Sequence, residues 1–343
     1  MGLNLKPLVT SNPIKISQLD GKVVAVDAFN IIYQFLATIR GPTGELLANS
    51  LGEPTSHLSG LFYRNISLLC DGVRLVYIFD GIPHKLKTKE IERRKRVKEE
   101  AYEKYNLALE EGRIDDAKKF SQGTSVLTSK MIEESKYLLH LMGIPYVDAI
   151  SEGEATAASL SKKEIVYSSV SQDYDSILFG AKRLIRNLTV SGKRKIPNRN
   201  VYVDIVPEMI EYAQVLKINN ITHEQLVDIG ILIGTDFNPH GFSGIGPKNA
   251  LKLIQKYKKL EEIEKIKEEL SMTPYNEIRE IFLNPKVTDV DDLRIDFREV
   301  EKEKIIKYLC DEKSFSIERV SNNIERLEKN IIKKSESLDK WFG

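Results

Sequence analysis

"KVVAVDAFNIIYQFLATIR", residues 22 to 40, changes its period part-way along. Up to Val26 it is a short, apolar, largely β-branched run, the pattern of a strand covered on both faces; from Asn30 onward the apolar residues recur at helical spacing. A strand that hands over to a helix, with an acid, Asp27, closing the strand, is a repeating unit of this chain. "VRLVYIFD" (73 to 80), "IPYVD" (144 to 148) and "IVYSSVSQD" (165 to 173) read as further strands, with helical stretches such as "SKMIEESKYLLHLMG" (129 to 143) between them. The expected fold class is α/β, with a central, largely parallel, twisted sheet flanked by helices. "RLIRNLTVSGKRKIPNRNVYVDI" (183 to 205) reads as a strand, a basic turn and a second strand. Beyond Pro207 the chain is expected to be helical, Pro207 itself suiting a first helical position, and "THEQ" (222 to 225) is a capping-box signature that opens "LVDIGILIG".

Length and composition fit this. The 343 residues, 41% hydrophobic and 29% charged, suit one large or two ordinary cores. No apolar run approaches the ~20 residues that cross a bilayer. The start "MGLNLKPL" lacks the apolar region of a secretory signal, and Lys6 stands where a myristoylation motif wants Ser or Thr. These features lead us to expect an intracellular protein with no membrane partner. Cys70 and Cys310 are too few for a disulfide framework or a zinc site and are expected as reduced, buried thiols. The net charge of +1 predicts no overall attraction to a polyanion. Local patches differ: Lys85 to Lys104 holds nine Lys or Arg against five Glu, and Lys182 to Val203 has seven basic residues and no acid. Each is either a solvated surface or a nucleic-acid contact.

In a parallel sheet the C-terminal strand ends converge on one edge, where ligands bind. Asp27 and Asp80 close the first two strands, Glu152 and Glu154 follow the third, and Asp173 and Asp175 close the fourth. Asp236 follows the helix that Gly234 terminates. Taken singly, each acid is explained by capping; "SEGE" (151 to 154) even fits a capping box with Ser151 as N-cap and Glu154 as its partner. Capping does not explain an acid at every strand end, nor the doubling in "SEGE" and "DYD". Two carboxylates ~5 Å apart repel by roughly 3 kcal/mol at an effective dielectric of 20, so something cationic belongs among them. With no Cys or His cluster on offer, hard divalent ions are expected, two Mg²⁺ with Mn²⁺ able to substitute. A pair of ions ~4 Å apart is the arrangement that hydrolyses phosphodiesters. A phosphatase forming an aspartyl-phosphate also carries a "DxD" at a strand end, but needs one such pair and a downstream lysine, not seven acids.

"GFSGIGPKNALKLI" (241 to 254) sets tight glycine turns before an amphipathic helix with Pro247 at its start. Bared N–H groups at a helix N-terminus favour phosphate, and with the preceding helix this reads as a helix-hairpin-helix over about 222 to 256; a plain helical corner is the alternative. Lys87 and Arg94, seven apart on an expected helix, lie about two turns apart on one face and can clamp a phosphate. Tyr33 is either a stacking platform for a base or a core residue of "NIIYQFL". Leu338, Trp341 and Phe342 in "SLDKWF" gather on one side of a helical turn, as a docking anchor for a partner or against the chain's own core.

"VDAFNIIYQFL", "YIFDGIPHKLK", "SEGEATAA", "SQDYDSILFG" and "GTDF…GIGPKNALKLI", in that order, resemble the flap endonucleases, the structure-specific 5′ nuclease family, from Gly2 to the tail. The resemblance implies that Asp27, Asp80, Glu152, Glu154, Asp173, Asp175 and Asp236 are the metal-site acids, that Lys87 and Arg94 act at the scissile phosphate, and that Tyr33 packs near the active-site base pair. It also implies a helical arch from about Pro83 to Gly123 through which the 5′ strand passes. Gly244, Gly246 and Lys248 become duplex contacts around a K⁺, and Gly2 lies near the substrate. Further implications are a monomer when free that cleaves branched DNA with a 5′ flap in replication and repair, with 5′–3′ exonuclease activity, in the cytoplasm or nucleoid of an archaeal cell. The tail at 335 to 343 resembles a peptide that docks on a sliding clamp (PCNA), except that Ser335 replaces the usual Gln. Residues 1–330 then form one nuclease domain, with regions 1–125, 126–257 and 258–330. A sibling 5′ exonuclease or junction resolvase of the same fold, and a non-catalytic DNA-binding scaffold, are the alternatives; the 72 residues from Asp80 to Glu152 leave no room for a large insertion.

Overall fold

The computed structural model describes residues 3–190, 193–195, 202–289, 293 and 295–342, with backbone alone for 193–195, 202–203 and 333–342. A short edge strand, β1 (Asn12–Pro13), precedes β2 (Val23–Asp27), which runs straight into α1 (Ala28–Thr38); α2 (Ser56–Cys70) then leads to β3 (Arg74–Phe79). The basic segment forms α3 (Thr88–Glu110) and α4 (Ile114–Ser121), and α5 (Ser129–Leu141) returns the chain to β4 (Tyr146–Asp148). There follow α6 (Gly153–Lys162), β5 (Ser168–Val170), the single turn α7 (Asp175–Leu178) and β6 (Arg183–Arg186). A separate two-stranded ladder joins β7 (Lys193–Lys195) to β8 (Tyr202–Asp204), and β9 (Glu208–Glu211) closes the sheet.

Strand order is β1-β9-β6-β5-β2-β3-β4. Every neighbouring pair from β6 to β4 is parallel, with Val24 opposite both Leu75 and Ser168, while β9 and β1 are antiparallel additions at one edge. The largely parallel sheet expected from the strand-to-helix units is therefore present. Val23 to Val26 of β2 and Leu75 to Phe79 of β3 are apolar throughout because both faces are covered. Val24, Val26, Leu75, Tyr77 and Phe79 pack on one side with α1, α2 and α5. Ala25, Val76 and Ile78 point to the other side, against Ala157 and Leu160 of α6. Tyr77 is fully buried, and its hydroxyl donates to Asn65 Oδ1 at 2.8 Å.

The rest of the chain is helical: α8 (Tyr212–Asn219), α9 (His223–Ile233), α10 (Pro247–Tyr257), α11 (Lys267–Ser271), α12 (Tyr275–Leu283), α13 (Lys302–Ile306) and α14 (Ile317–Phe342). Thr222 and Gln225 form the expected capping box at the start of α9, and Gly234 ends that helix at φ 108°. A second core, with Leu226, Ile229, Ile254 and Phe282, binds α9, α10 and α12 together. On α14, Val320, Ile324 and Leu327 join the first core. The side chains of Leu338, Trp341 and Phe342 lie outside the described residues, as does Gly2. Cys70 is buried, whereas Cys310 is only half-buried.

Three local expectations fail. Pro207 does not start a helix: "EMIE" is strand β9, and the helix begins at Tyr212. Only Ile210 of that strand is fully covered, so four residues carry too little pattern to reveal their period, and Pro207, lacking an N–H, serves the edge by accepting from the Ile14 N–H at 2.9 Å. The basic segment expected as a turn itself holds strand β7, which pairs with β8, while β6 finds its antiparallel partner in β9. "SEGE" forms no capping box; Glu152 is the N-cap of α6, with no side-chain cap bond.

The helices α1 and α2 cross closely at Gly60, where a Cβ would lie 2.2 Å from the Phe35 ring. Because α1 carries residues of the site described below, its seating matters. Gly60→Ala is expected to lower stability by about 1–3 kcal/mol, as overpacked cores do, read as a lower urea midpoint at unchanged slope. An unchanged midpoint would mean that the crossing is looser than it stands.

Candidate active site

The seven acids from separate stretches of chain meet on one cleft of about 1050 Å³. Asp27 ends β2, Asp80 follows β3, Glu152 and Glu154 open α6, Asp173 and Asp175 follow β5, and Asp236 lies beyond the end of α9. Parallel pairing does most of this, since it points the ends of β2, β3, β4 and β5 in one direction. Opposite the acids stands α3, which buries only Glu90 and Ala108 and lines the cleft with Ile91, Arg94, Lys95, Lys98 and Tyr102. Such a charged helix, nearly bare of core residues, is held by packing on α4 and on the turn Gln122–Thr124 and by what it touches across the cleft.

Each acid is fixed by named neighbours. Asp27 caps α1, Oδ1 accepting from the Asn30 N–H at 3.0 Å, so capping and site placement coincide. Asp173 Oδ2 accepts from Asn30 Nδ2 at 2.8 Å. Asp80 Oδ1 accepts from the Gly153 N–H at 2.6 Å; a Cβ on Gly153 would sit 2.7 Å from that oxygen, which is why the residue between the two glutamates is glycine. Ser171 Oγ lies 3.3 Å from Asp27 Oδ2 and 3.1 Å from Glu154 Oε1. One hydroxyl proton can serve only one of the two.

Two cations reach in from the far wall. Lys87 pairs closely with Glu152 and lies 3.5 Å from Asp236 Oδ2; Arg94 Nη2 donates to Asp236 Oδ1 at 2.7 Å. Lys87 ends a short 3₁₀ turn (Lys85–Lys87) just before α3, so the two act from one face as the spacing indicated. Tyr33 is not a core residue: Ile31, Ile32, Phe35 and Leu36 take that role, and Tyr33 is half-buried on the cleft wall with Lys98 Nζ 4.4 Å from its ring centroid.

Two cations do not balance seven acids. Burial first, then the charge of Asp80, pushes the Asp27 carboxyl up to about 8. Burial and Glu152 push Asp80 up to about 6. Burial, with Asp175 next, holds Glu154 well above its ordinary range; burial and Asp236 do the same to Asp175 and raise Asp173. Burial pulls Lys87 down, but Glu152 and Asp236 outweigh it and hold the ammonium above its usual range. Asp80 feels Glu152 and Asp236, Asp27 feels Asp80 and Asp173, Asp173 and Asp175 feel Asp236, and Glu154 feels Asp175, Asp27 and Asp173. The acids thus form one mutually repelling group.

Asn30, Ser171 and Glu90 were not anticipated. Asn30 stands three residues after Asp27, a spacing that signals a helix cap, but its bond to Asp173 spans 143 positions and has no local signature. Glu90 accepts from both Arg93 and Arg94, which bring its carboxyl down to about 2 against the opposing effect of burial.

Residues 3–101 match the XPG N-terminal domain and residues 143–236 the XPG I-region. The chain is 54% identical over 342 residues to flap endonuclease 1 of Nitrosopumilus maritimus, spanning the whole of both. It superposes on flap endonuclease-1 from Methanococcus jannaschii with a TM-score of 0.74 at 40% identity, over 97% of this chain and all of that one. The catalytic core of Rad2, solved in complex with DNA substrate, shares the fold at a TM-score of 0.69 and 22% identity, over 94% of this chain and 96% of that one. Fold and site together define a nuclease of the XPG type. Within that class, the chain belongs to the flap endonuclease family.

The family implies a divalent metal cofactor, and the residues present fit one. The donors are hard carboxylate oxygens, and Glu152 Oε1 and Asp175 Oδ1 are buried with no hydrogen-bond partner. Among the described residues no three such side chains already close as a cage, since Lys87 and Arg94 hold Glu152 and Asp236. No described helix is long and apolar enough to cross a membrane.

The raised carboxyls fix a pH dependence. Their folded values exceed the ordinary 3.8 of an aspartate, so the folded chain binds more protons than the unfolded one, and the stability they contribute is lost as pH rises from about 4 through about 8. With chelator present, the melting temperature should fall across that range, and Asp27→Asn should flatten the fall. A divalent salt should raise it more at pH 8 than at pH 6, because binding must displace these protons. A slope unchanged in Asp27→Asn would contradict the assignment.

Proposed function

We propose that the protein is a structure-specific 5′ flap endonuclease that hydrolyses a DNA phosphodiester where single and double strands meet, with 5′–3′ exonuclease activity from the same site, in Okazaki-fragment processing and repair. One observation carries this: seven acids from distant chain segments line one side of a cleft into which Lys87, Arg94, Lys95 and Lys98 reach from the other wall. A phosphodiester backbone is the ligand that needs both, since divalent ions bind between acid and phosphate while basic side chains take the remaining charge.

Asp27, Asp80, Glu152, Glu154, Asp173, Asp175 and Asp236 would hold two Mg²⁺. Bound there, the ions supply an activated water for in-line attack and neutralise the leaving oxygen. Freed from Glu152 and Asp236, Lys87 and Arg94 offset charge developing on the phosphate. The wall segment from about Pro83 to Gly123 arches over the strand being cut, and Tyr33 offers its ring to a base once Lys98 yields. At the hairpin, Gly244 has φ 70°, and a Cβ on Gly244 or Gly246 would meet nothing within 4 Å. Gly246 caps α10, which supports a duplex phosphate resting on this helix start, with Lys248 beside it and a K⁺ in the loop. Leu338, Trp341 and Phe342 dock the otherwise monomeric protein on a sliding clamp.

On a labelled 5′ flap substrate in Mg²⁺, Asp173→Asn should abolish cleavage while leaving DNA binding within ~3-fold, since it removes metal-holding charge and keeps the shape. Turnover at the wild-type rate would refute the scheme. The same assay on nicked and single-stranded substrates, with and without Mg²⁺, separates a flap nuclease from a non-catalytic scaffold.

A further inference from the structure

Glu90 is out of place by ordinary rules. It lies in the first turn of α3, where an acid suits the helix dipole, yet it makes no capping bond and is 2% exposed on a helix that otherwise buries only Ala108. A carboxylate is seldom buried unless it is paired. Here two guanidiniums close over it. Arg93 Nε donates to Oε2 and Arg93 Nη2 to Oε1, each at 2.7 Å, and Arg94 Nε donates to Oε1 at 2.7 Å. Arg94 uses its Nε on Glu90 and its Nη2 on Asp236, while Arg93 does not line the cleft.

From this geometry we infer that Glu90 is a positioning residue for cleavage, acting through Arg94. An arginine on a bare helix has rotamer entropy to lose before it can meet a phosphate in one geometry. Glu90 holds the Arg94 Nε–H, which fixes the guanidinium plane, so Nη2 is aimed into the cleft in advance. When Asp236 turns to a metal ion, Nη2 is released to the scissile phosphate while Nε stays on Glu90. The charged carboxylate is needed: an amide whose oxygen stood in the place of Oε1 would turn its NH₂ group toward Arg93 Nε and would carry no charge to hold either guanidinium. This role rests on the nuclease reading above and adds to it the residue that preorganises the phosphate clamp.

The test is a double-mutant cycle in single-turnover cleavage of a 5′ flap. Glu90→Gln is expected to slow the chemical step ~10-fold or more with substrate affinity little changed, and Arg94→Ala to slow it ~100-fold or more. In the Arg94→Ala background, adding Glu90→Gln should change the rate by less than ~2-fold, because its only route to the reaction is gone. A merely structural Glu90 would slow both backgrounds by the same factor, and that result overturns the inference, as does a wild-type rate for Glu90→Gln. Glu90→Asp, keeping the charge on a shorter stem, should recover part of the rate; no recovery at equal melting temperature would count against it. Wild-type protein that leaves the flap intact would refute the nuclease reading itself, and with it the role of Glu90.

Discussion

The structure depends on an imbalance of charge: seven carboxylates share a cleft with two cations that reach them directly. Such a group is unfavourable in isolation, and the raised Asp27, Asp80, Glu154, Asp173 and Asp175 carboxyls express it. What holds them together is the stability of the sheet beneath. Strands buried on both faces, with Tyr77 and Phe79 in the core, fix the ends of β2, β3 and β5 whatever the acids beyond them prefer. Strain of this kind at a site, sustained by a rigid scaffold, leaves the acids ready for a more highly charged ligand.

The wall formed by α3 follows from the same imbalance. It contributes almost nothing to a core and contacts the acids through Lys87 and Arg94. These links are ion pairs at the edge of a wide cleft, so they can be exchanged for others. A divalent ion at Glu152 or Asp236 and a phosphate at Lys87 and Arg94 would together satisfy all four groups better than they satisfy one another. In this view the cations serve the resting protein as counter-ions and the loaded protein as a phosphate clamp, with Glu90 keeping Arg94 aimed throughout.

Much of this was legible in the sequence, for identifiable reasons. The strands β2 and β3 are apolar runs closed by an acid, and the α/β alternation sends all such ends to one edge, so the convergence of Asp27, Asp80, Asp173 and Asp175 followed from pattern alone. The capping box at Thr222 and the glycine at 234 were equally local signals. What could not be read was long-range or too short. Strand β9 is four residues whose place is decided by pairing with β6 and β1. Asn30 and Ser171 each look like ordinary helix-start or turn residues until the fold brings Asp173, or Asp27 and Glu154, beside them. Glu90 is one acid among six in a charged helix, and only burial sets it apart.

The central claim is that the cations on the acids give way to metal. The most direct measurement is an anomalous difference map from a crystal soaked in Mn²⁺. The account predicts two peaks ~4 Å apart, each ~2.0–2.4 Å from carboxylate oxygens of the seven, with Lys87 withdrawn from Glu152. A cleft without peaks, or Lys87 still seated on Glu152 while Mn²⁺ binds elsewhere, would contradict it.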